Sequence, residues 1–139
     1  MATTTANLTL TSSDLTSDSL SLTSTATLTE AGNLTGLTQT TGIRRRTFSS
    51  ALSSQSKIID ANDYTDDKAH KVYFKNLSTN AAQFITVFVG ATELGRLYAG
   101  DFLFMPWTAD TTGTAADIDI KTSDSNMSIE WSVFVDTFA

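Results

Sequence analysis

The sequence predicts an all-β fold, an antiparallel β-sandwich, jelly roll or barrel, with an extended N-terminal arm in front of it. Three observations point there. Short runs rich in β-branched and aromatic residues recur through the second half, separated by turn chemistry such as "NLSTNA", "VGATE", "ADTTGTA" and "TSDSN". No stretch of any length repeats its apolar residues at the helical period. The first half alternates small or branched apolar residues with Thr and Ser, a period of two that suits a strand with one apolar face.

The arm comes first. Residues 1–56 are dominated by Thr, Ser and Leu and carry a single aromatic, Phe48. In "DSLSLTSTATLT" the side chains of Leu20, Leu22, Ala26 and Leu28 fall on one face, while Ser19, Ser21, Thr23, Thr25 and Thr27 fall on the other. The branched Cβ of threonine favours the strand, and a one-sided strand needs a partner. Residues 1–56 therefore read as an arm with strand segments, ordered where it lies on a neighbour; a Ser/Thr-rich tail without fixed structure is the competing reading.

Residues 57–139 read as the compact domain. The remaining aromatics, most of the charge and the only Pro and His lie there. Its strands are expected, in order, at "KVYFKNLS" (71–78), "AQFITVFVG" (82–90), "ELGRLYA" (93–99), "DFLFMPW" (101–107), "DIDIKT" (117–122) and "MSIEWSVFVDT" (127–137). The one helical expectation is a turn within "ANDYTDDKAHK". Ile118 and Ile120 alternate with Asp117, Asp119 and Lys121, the pattern of an outer strand with one wet side. Met127, Ile129, Trp131, Val133 and Val135 point one way, and Ser128, Glu130 and Ser132 the other. "FITVFV" and "DFLFMPW" are apolar on both faces, so each has to be covered twice.

Composition narrows the function classes. A chain of 139 residues with 40% apolar content is one ordinary domain with a core of its own. A net charge of −6 and a pI near 4.4 argue against general nucleic-acid binding and against adhesion to an anionic membrane. Without cysteine there is no disulfide framework, thiol nucleophile or thiolate zinc site. "MATTTANLTLTSS" lacks the basic and apolar regions of a secretory signal, and no apolar run approaches the ~20 residues of a membrane span. Synthesis in a cytoplasm without signal-peptide secretion is the expectation.

Catalytic equipment is sparse, and no catalytic residue, metal or cofactor is expected. His70, the sole histidine, stands at a loop-to-strand junction with no nucleophile elbow, and a solvated or capping role is expected. Asp60, Asp63, Asp66 and Asp67 offer hard oxygen ligands, but the glycine and closing glutamate of a calcium loop are missing, so turn-capping carboxylates are the reading. Asp117 and Asp119 lie about 7 Å apart on one strand face, the ordinary look of a wet strand. The gaps in "AGNLTG" and "VGATELG" do not match a phosphate loop.

Two features suit partners instead. Arg44, Arg45 and Arg46 place three cations in a segment otherwise without positive charge; on a strand Arg45 points opposite to Arg44 and Arg46, and guanidinium forks suit carboxylates as well as phosphates. Phe102, Phe104, Met105 and Trp107 form a core or subunit-interface row, in which Phe102, Phe104 and Met105 are expected to be buried. Trp107, ending a strand beside a loop, is also the ring best placed to stack on a sugar.

The phrases "KVYFKNLST", "RLYAGDFLFMPW" and "SNMSIEWSVF", together with the Leu/Thr/Ser-rich lead and "TGIRRRTF", resemble small virion structural proteins of tailed bacteriophages, notably those of cyanobacteria. The resemblance covers mainly residues 57–139 and brings no catalytic motif. It implies a non-enzymatic capsid decoration or cement protein that forms a homo-oligomer, in such proteins often a trimer at three-fold positions. Its partner would be the major capsid protein, touched through the arm and Arg44–Arg46. A tail, neck or fibre component is the alternative within the virion, and a carbohydrate-binding β module the alternative outside that class.

Overall fold

Period-two alternation decides which side of each strand turns inward. The computed structural model, which describes residues 3–15, 18–30, 36–37 and 39–137, shows two antiparallel sheets packed on that buried side. In the first sheet β11 (Met127–Val135) is central. It pairs on one side with β3 (Gln39–Thr40) and β4 (Arg44–Phe48), and on the other with β6 (His70–Asn76), which pairs in turn with β9 (Phe102–Trp107). The second sheet runs β5 (Ser56–Ile59), β10 (Ile118–Thr122), β7 (Phe84–Val89), β8 (Thr92–Tyr98). A 3-10 turn at Ala61–Asp63 falls within the segment expected to turn. A further pair, β1 (Thr4–Ser12) and β2 (Leu20–Leu28), forms a ribbon of its own.

From β4 to β11 the chain changes sheet at every step except the β7–β8 hairpin. The result, β4-β11-β6-β9 facing β5-β10-β7-β8, is the interleaving of a double Greek key, a jelly roll.

Met127, Ile129, Trp131, Val133 and Val135 all face the core, as their alternation requires, and meet Ile118 and Ile120 of β10 and Ile85 and Val87 of β7. Phe74, fully buried, stacks on Trp131 with ring centres 6.3 Å apart. Burying one such ring contributes about 1.5–3 kcal/mol. The hairpin from β7 to β8 turns on Gly90 and Ala91, with Val89 opposite Thr92. Gly90 has a positive φ of 55°, the first-position geometry of a type II′ turn. Its N–H donates to the Asp117 carbonyl at 2.8 Å, tying the hairpin to the start of β10.

Four expectations change against this frame. Residues 39–56 belong to the sandwich and not to the arm: Phe48 is buried, and β4 closes one edge of the first sheet. A Thr- and Arg-rich edge strand is mostly exposed, so its composition matches the arm's. Phe102 and Phe104 are not buried, at 57% and 43% exposure; Leu103, Met105 and Trp107 take the inward positions of β9. β10 lies inside its sheet, between β5 and β7, and Asp117 just before it is buried. Of the two roles expected for His70, solvated or capping, its full burial removes the first. β7 is covered on both faces as required, but the outer cover is made by side chains: Arg96 lies 4.3 Å over the Phe84 ring and Lys121 5.6 Å over Phe88. Long cationic stems can shield apolar surface while their charges stay in water.

Candidate interaction surface

The register of the ribbon sorts its side chains. Leu10 pairs with Leu22, Leu8 with Ser24, Ser12 with Leu20 and Ala6 with Ala26, so the leucines gather on one face. Thr5, Asn7, Thr9 and Thr11 line the other with their partners Thr27, Thr25, Thr23 and Ser21, and there Thr25 Oγ1 donates to Asn7 Oδ1 at 2.8 Å. The base is anchored: the Leu37 N–H donates to the Leu28 carbonyl at 2.8 Å, Thr4 Oγ1 donates to the Leu37 carbonyl at 3.1 Å, and Leu28 and Leu37 are buried. Beyond Ala6 and Ala26 the leucine face is open, Leu8 included at 40% exposure. Leu10, Leu20 and Leu22 are 42–43% exposed. A two-stranded ribbon alone is marginal in water, and this one leaves its leucine face partly exposed.

The base of the ribbon sits beside the outer face of the first sheet. Phe102 and Phe104 of β9, Tyr73 of β6 and Phe134 of β11 face Thr4–Leu8 and the Ser24–Leu28 end of β2 across an open groove of about 480 Å³. Phe104 and Phe134 meet edge to face at 6.1 Å. Phe102 and Phe104 are thus an exposed aromatic pair on the side of β9 away from the core.

β4 separates the three arginines as a strand must. Arg45 points to the outer face, where its Nε donates to Glu130 Oε2 at 2.7 Å while Tyr73 Oη donates to Oε1 at 3.1 Å. The Arg45 hydrogen bond is the main cause that holds the Glu130 carboxyl below its ordinary pKa, with Tyr73 adding to it against partial desolvation. Arg46, on the opposite face, lies 4.6 Å over the Phe48 ring and shields the open rim of the core. Arg44 shares that face. The triplet is therefore one internally paired cation and two at the sheet edge, all exposed.

The residues weighed for chemistry hold the loops. Lys57 Nζ reaches Asp117 Oδ2 at 2.7 Å and Asp60 Oδ2 at 3.1 Å. Asp117 Oδ1 accepts the Ala61 N–H at 2.9 Å, and Asp60 caps the 3-10 turn by accepting from the Asn62 N–H at 3.0 Å. Burial, then the charge of Asp117, raises the Asp119 carboxyl above its ordinary pKa. Asp66 accepts from the backbone N–H and the hydroxyl of Thr111. Among the described residues no three His, Asp or Glu side chains converge as a metal ion requires. Trp107 is 5% exposed and its Nε1 donates to the Ala116 carbonyl at 2.9 Å, so its ring face is not open to a sugar.

His70 is a clasp. Its Nδ1 accepts the Asp136 N–H at 3.1 Å, which leaves the proton on Nε2 to be donated to the Thr65 carbonyl at 3.0 Å. Burial lowers its pKa below the usual value, opposed by the Thr65 hydrogen bond and the charge of Asp136 and reinforced by Lys71 and Lys68. The unfolded chain takes up this proton near pH 6.5, but the folded one resists until lower pH. The His70 contribution is therefore present above about pH 6.5 and is lost as pH falls through the folded value. Thermal unfolding at pH 7.5 and 5.5 should show that loss, and a His70→Gln chain should show a smaller pH dependence; equal dependence would mean that other groups drive the change.

The arginines, the row at 102–107 and the one-sided arm strand are each legible in the sequence; the structure brings the arm strand and the phenylalanines of the row to one groove and leaves the arginines outside it. The groove forms because β9 turns its phenylalanines outward next to the ribbon's anchored base. The signal was the two-sided apolarity of "DFLFMPW" beside an amphipathic Thr/Leu segment. Comparison of the chain with family models and with curated proteins, and of its structure with solved structures, finds no match.

Proposed function

We propose that this chain is a non-enzymatic structural protein of a tailed-bacteriophage virion, a decoration or cement protein that oligomerises and stabilises the shell. The observation that supports this reading is the ribbon. It projects a partly exposed leucine face from a jelly roll in which His70, Asp60, Asp66 and Asp117 act as caps and clasps. A surface of that kind contributes binding energy by being covered, not by chemistry. The jelly roll itself argues for no particular function; the virion assignment draws on the resemblance of "KVYFKNLST", "RLYAGDFLFMPW" and "SNMSIEWSVF".

In this reading the major capsid protein is the partner, and Arg44 and Arg46 at the β4 edge meet carboxylates on it. Copies per purified virion, counted by quantitative mass spectrometry against the major capsid protein, provide the test. Hundreds would support a shell component, a dozen or fewer would move the chain to the tail, neck or fibre, and none would remove it from the virion. Arg44→Gln with Arg46→Gln should leave the unfolding free energy within about 1 kcal/mol of wild type, since exposed charges contribute little. The same pair should weaken shell binding about tenfold in a salt-sensitive manner. Unchanged binding would make the arginines a solvated edge only.

A further inference from the structure

We propose that the exposed half of the ribbon of one copy docks on the outer-face aromatic row of a second copy of this chain, closing an assembly in which every copy both gives a ribbon and receives one. The inference deepens the structural-protein reading above by naming the surface that joins copies.

Both halves of the contact are present on one molecule and neither is satisfied there. The groove beside the aromatic row is walled by the ribbon only as far as Leu8 and Ser24. Beyond that point Leu10, Leu20 and Leu22 continue the same apolar face, 42–43% exposed. The row also remains open, with Phe102 at 57% and Phe104 at 43% exposure. A leucine face without a floor and an aromatic floor without a full cover match in chemistry, the two strands of the ribbon fitting within a row that spans β9, β6 and β11.

Charge favours the same pairing. Asp14 and Asp18 are the only charged residues in the stretch from β1 to β2, and both lie near the tip. The outer face of the first sheet carries Lys71, Lys75 and Arg45 against the carboxylates of Glu130 and, close to Lys71, Asp136. An acidic tip arriving on a basic face is steered into register; a tip arriving on another ribbon meets like charge.

Size then argues for closure. The exposed half of the ribbon is about 15 Å long, far too small to reach the ~1,200 Å² of a standard interface by itself. The contact is heterologous, ribbon on row, and such contacts are stabilised when rotation returns the last copy to the first.

The absence of cysteine makes the test direct. A Leu22→Cys chain mixed with a Phe104→Cys chain should form a disulfide-linked heterodimer under mild oxidation. The mass of the wild type by light scattering should be a fixed multiple of 14.9 kDa, and Leu10→Ser with Leu20→Ser should return it to one chain without lowering the unfolding midpoint of the sandwich. A wild type that stays at the mass of one chain at all concentrations would overturn the inference. So would a doubly substituted chain, Leu22→Cys with Phe104→Cys, that cross-links only within itself. A single-chain protein that still binds shells through its ribbon would overturn this contact while keeping the virion reading; a closed assembly absent from virions would do the reverse.

Discussion

Replacing Trp107 with alanine is expected to destabilise the chain by about 3–5 kcal/mol, the range for removing a large aromatic from a packed core. The ring is 5% exposed at the end of β9, meets Tyr64 edge to face at 5.1 Å and lies 5.8 Å from the His70 ring. Its loss would leave a cavity among these three elements. It would also leave the Ala116 carbonyl without the indole N–H that it accepts at 2.9 Å, an additional penalty for a buried acceptor. The urea midpoint should fall sharply with the slope unchanged. Phe104→Ala is the control on the same strand. Phe104 is 43% exposed and points away from the core, so its loss should cost the isolated chain about 1 kcal/mol or less. Equal costs at the two positions would mean that β9 does not turn Trp107 inward and Phe104 outward.

Gly90→Ala is expected to be as damaging, for a backbone reason. At a φ of 55° an alanine meets the left-handed penalty of about 1–2 kcal/mol. In addition its Cβ would stand 2.4 Å from the Ala115 carbonyl oxygen and 2.9 Å from that carbonyl carbon. Main chain has to move, and it is the main chain that leads into Asp117, whose carbonyl accepts the Gly90 N–H and whose carboxylate holds Ala61 and Lys57. A loss above about 3 kcal/mol should follow, in the class of strained special-backbone positions. Gly42 isolates the conformational part: its φ is 73° with nothing within 4 Å of an added Cβ, so Gly42→Ala should cost only the left-handed penalty. Comparable losses at both sites would show that the contact with Ala115 yields easily.

The β-sandwich was legible because most of its strands carry a face signal of their own. Met127 through Ser132 alternates so clearly that the inward set of β11 follows from the sequence, even though Phe134 adds an apolar outward position, and Ile118 and Ile120 do the same for β10. Where both faces are apolar the signal is silent on direction: "FLFMPW" announces burial of some kind, but not that Phe102 and Phe104 go outward. β4 escaped for the opposite reason. An edge strand with three arginines and one buried phenylalanine has too little apolar surface to stand out from the Thr-rich lead. The burial of His70 and Asp117 depends on Asp136, Thr65, Lys57 and Ala61, partners that only the folded chain brings near. The ribbon's apolar face was readable at Leu20, Leu22 and Leu28; its partner strand and its place beside the aromatic row were not.

The strand order has a consequence for the timing of synthesis. β11 follows every strand it pairs with and is the middle of the first sheet, holding β3 and β4 on one side and β6 on the other. Until it has left the ribosome, β4 has no neighbour to pair with and β6 has only β9. The two hairpins, β1–β2 and β7–β8, are the local pieces that can form early, whereas closing a sheet around its final strand draws distant segments together and is slow. A growing chain of this topology therefore keeps the inner faces of both sheets bare until β11 is made. It depends on chaperones, or on speed, during that interval more than a helical protein of equal size would.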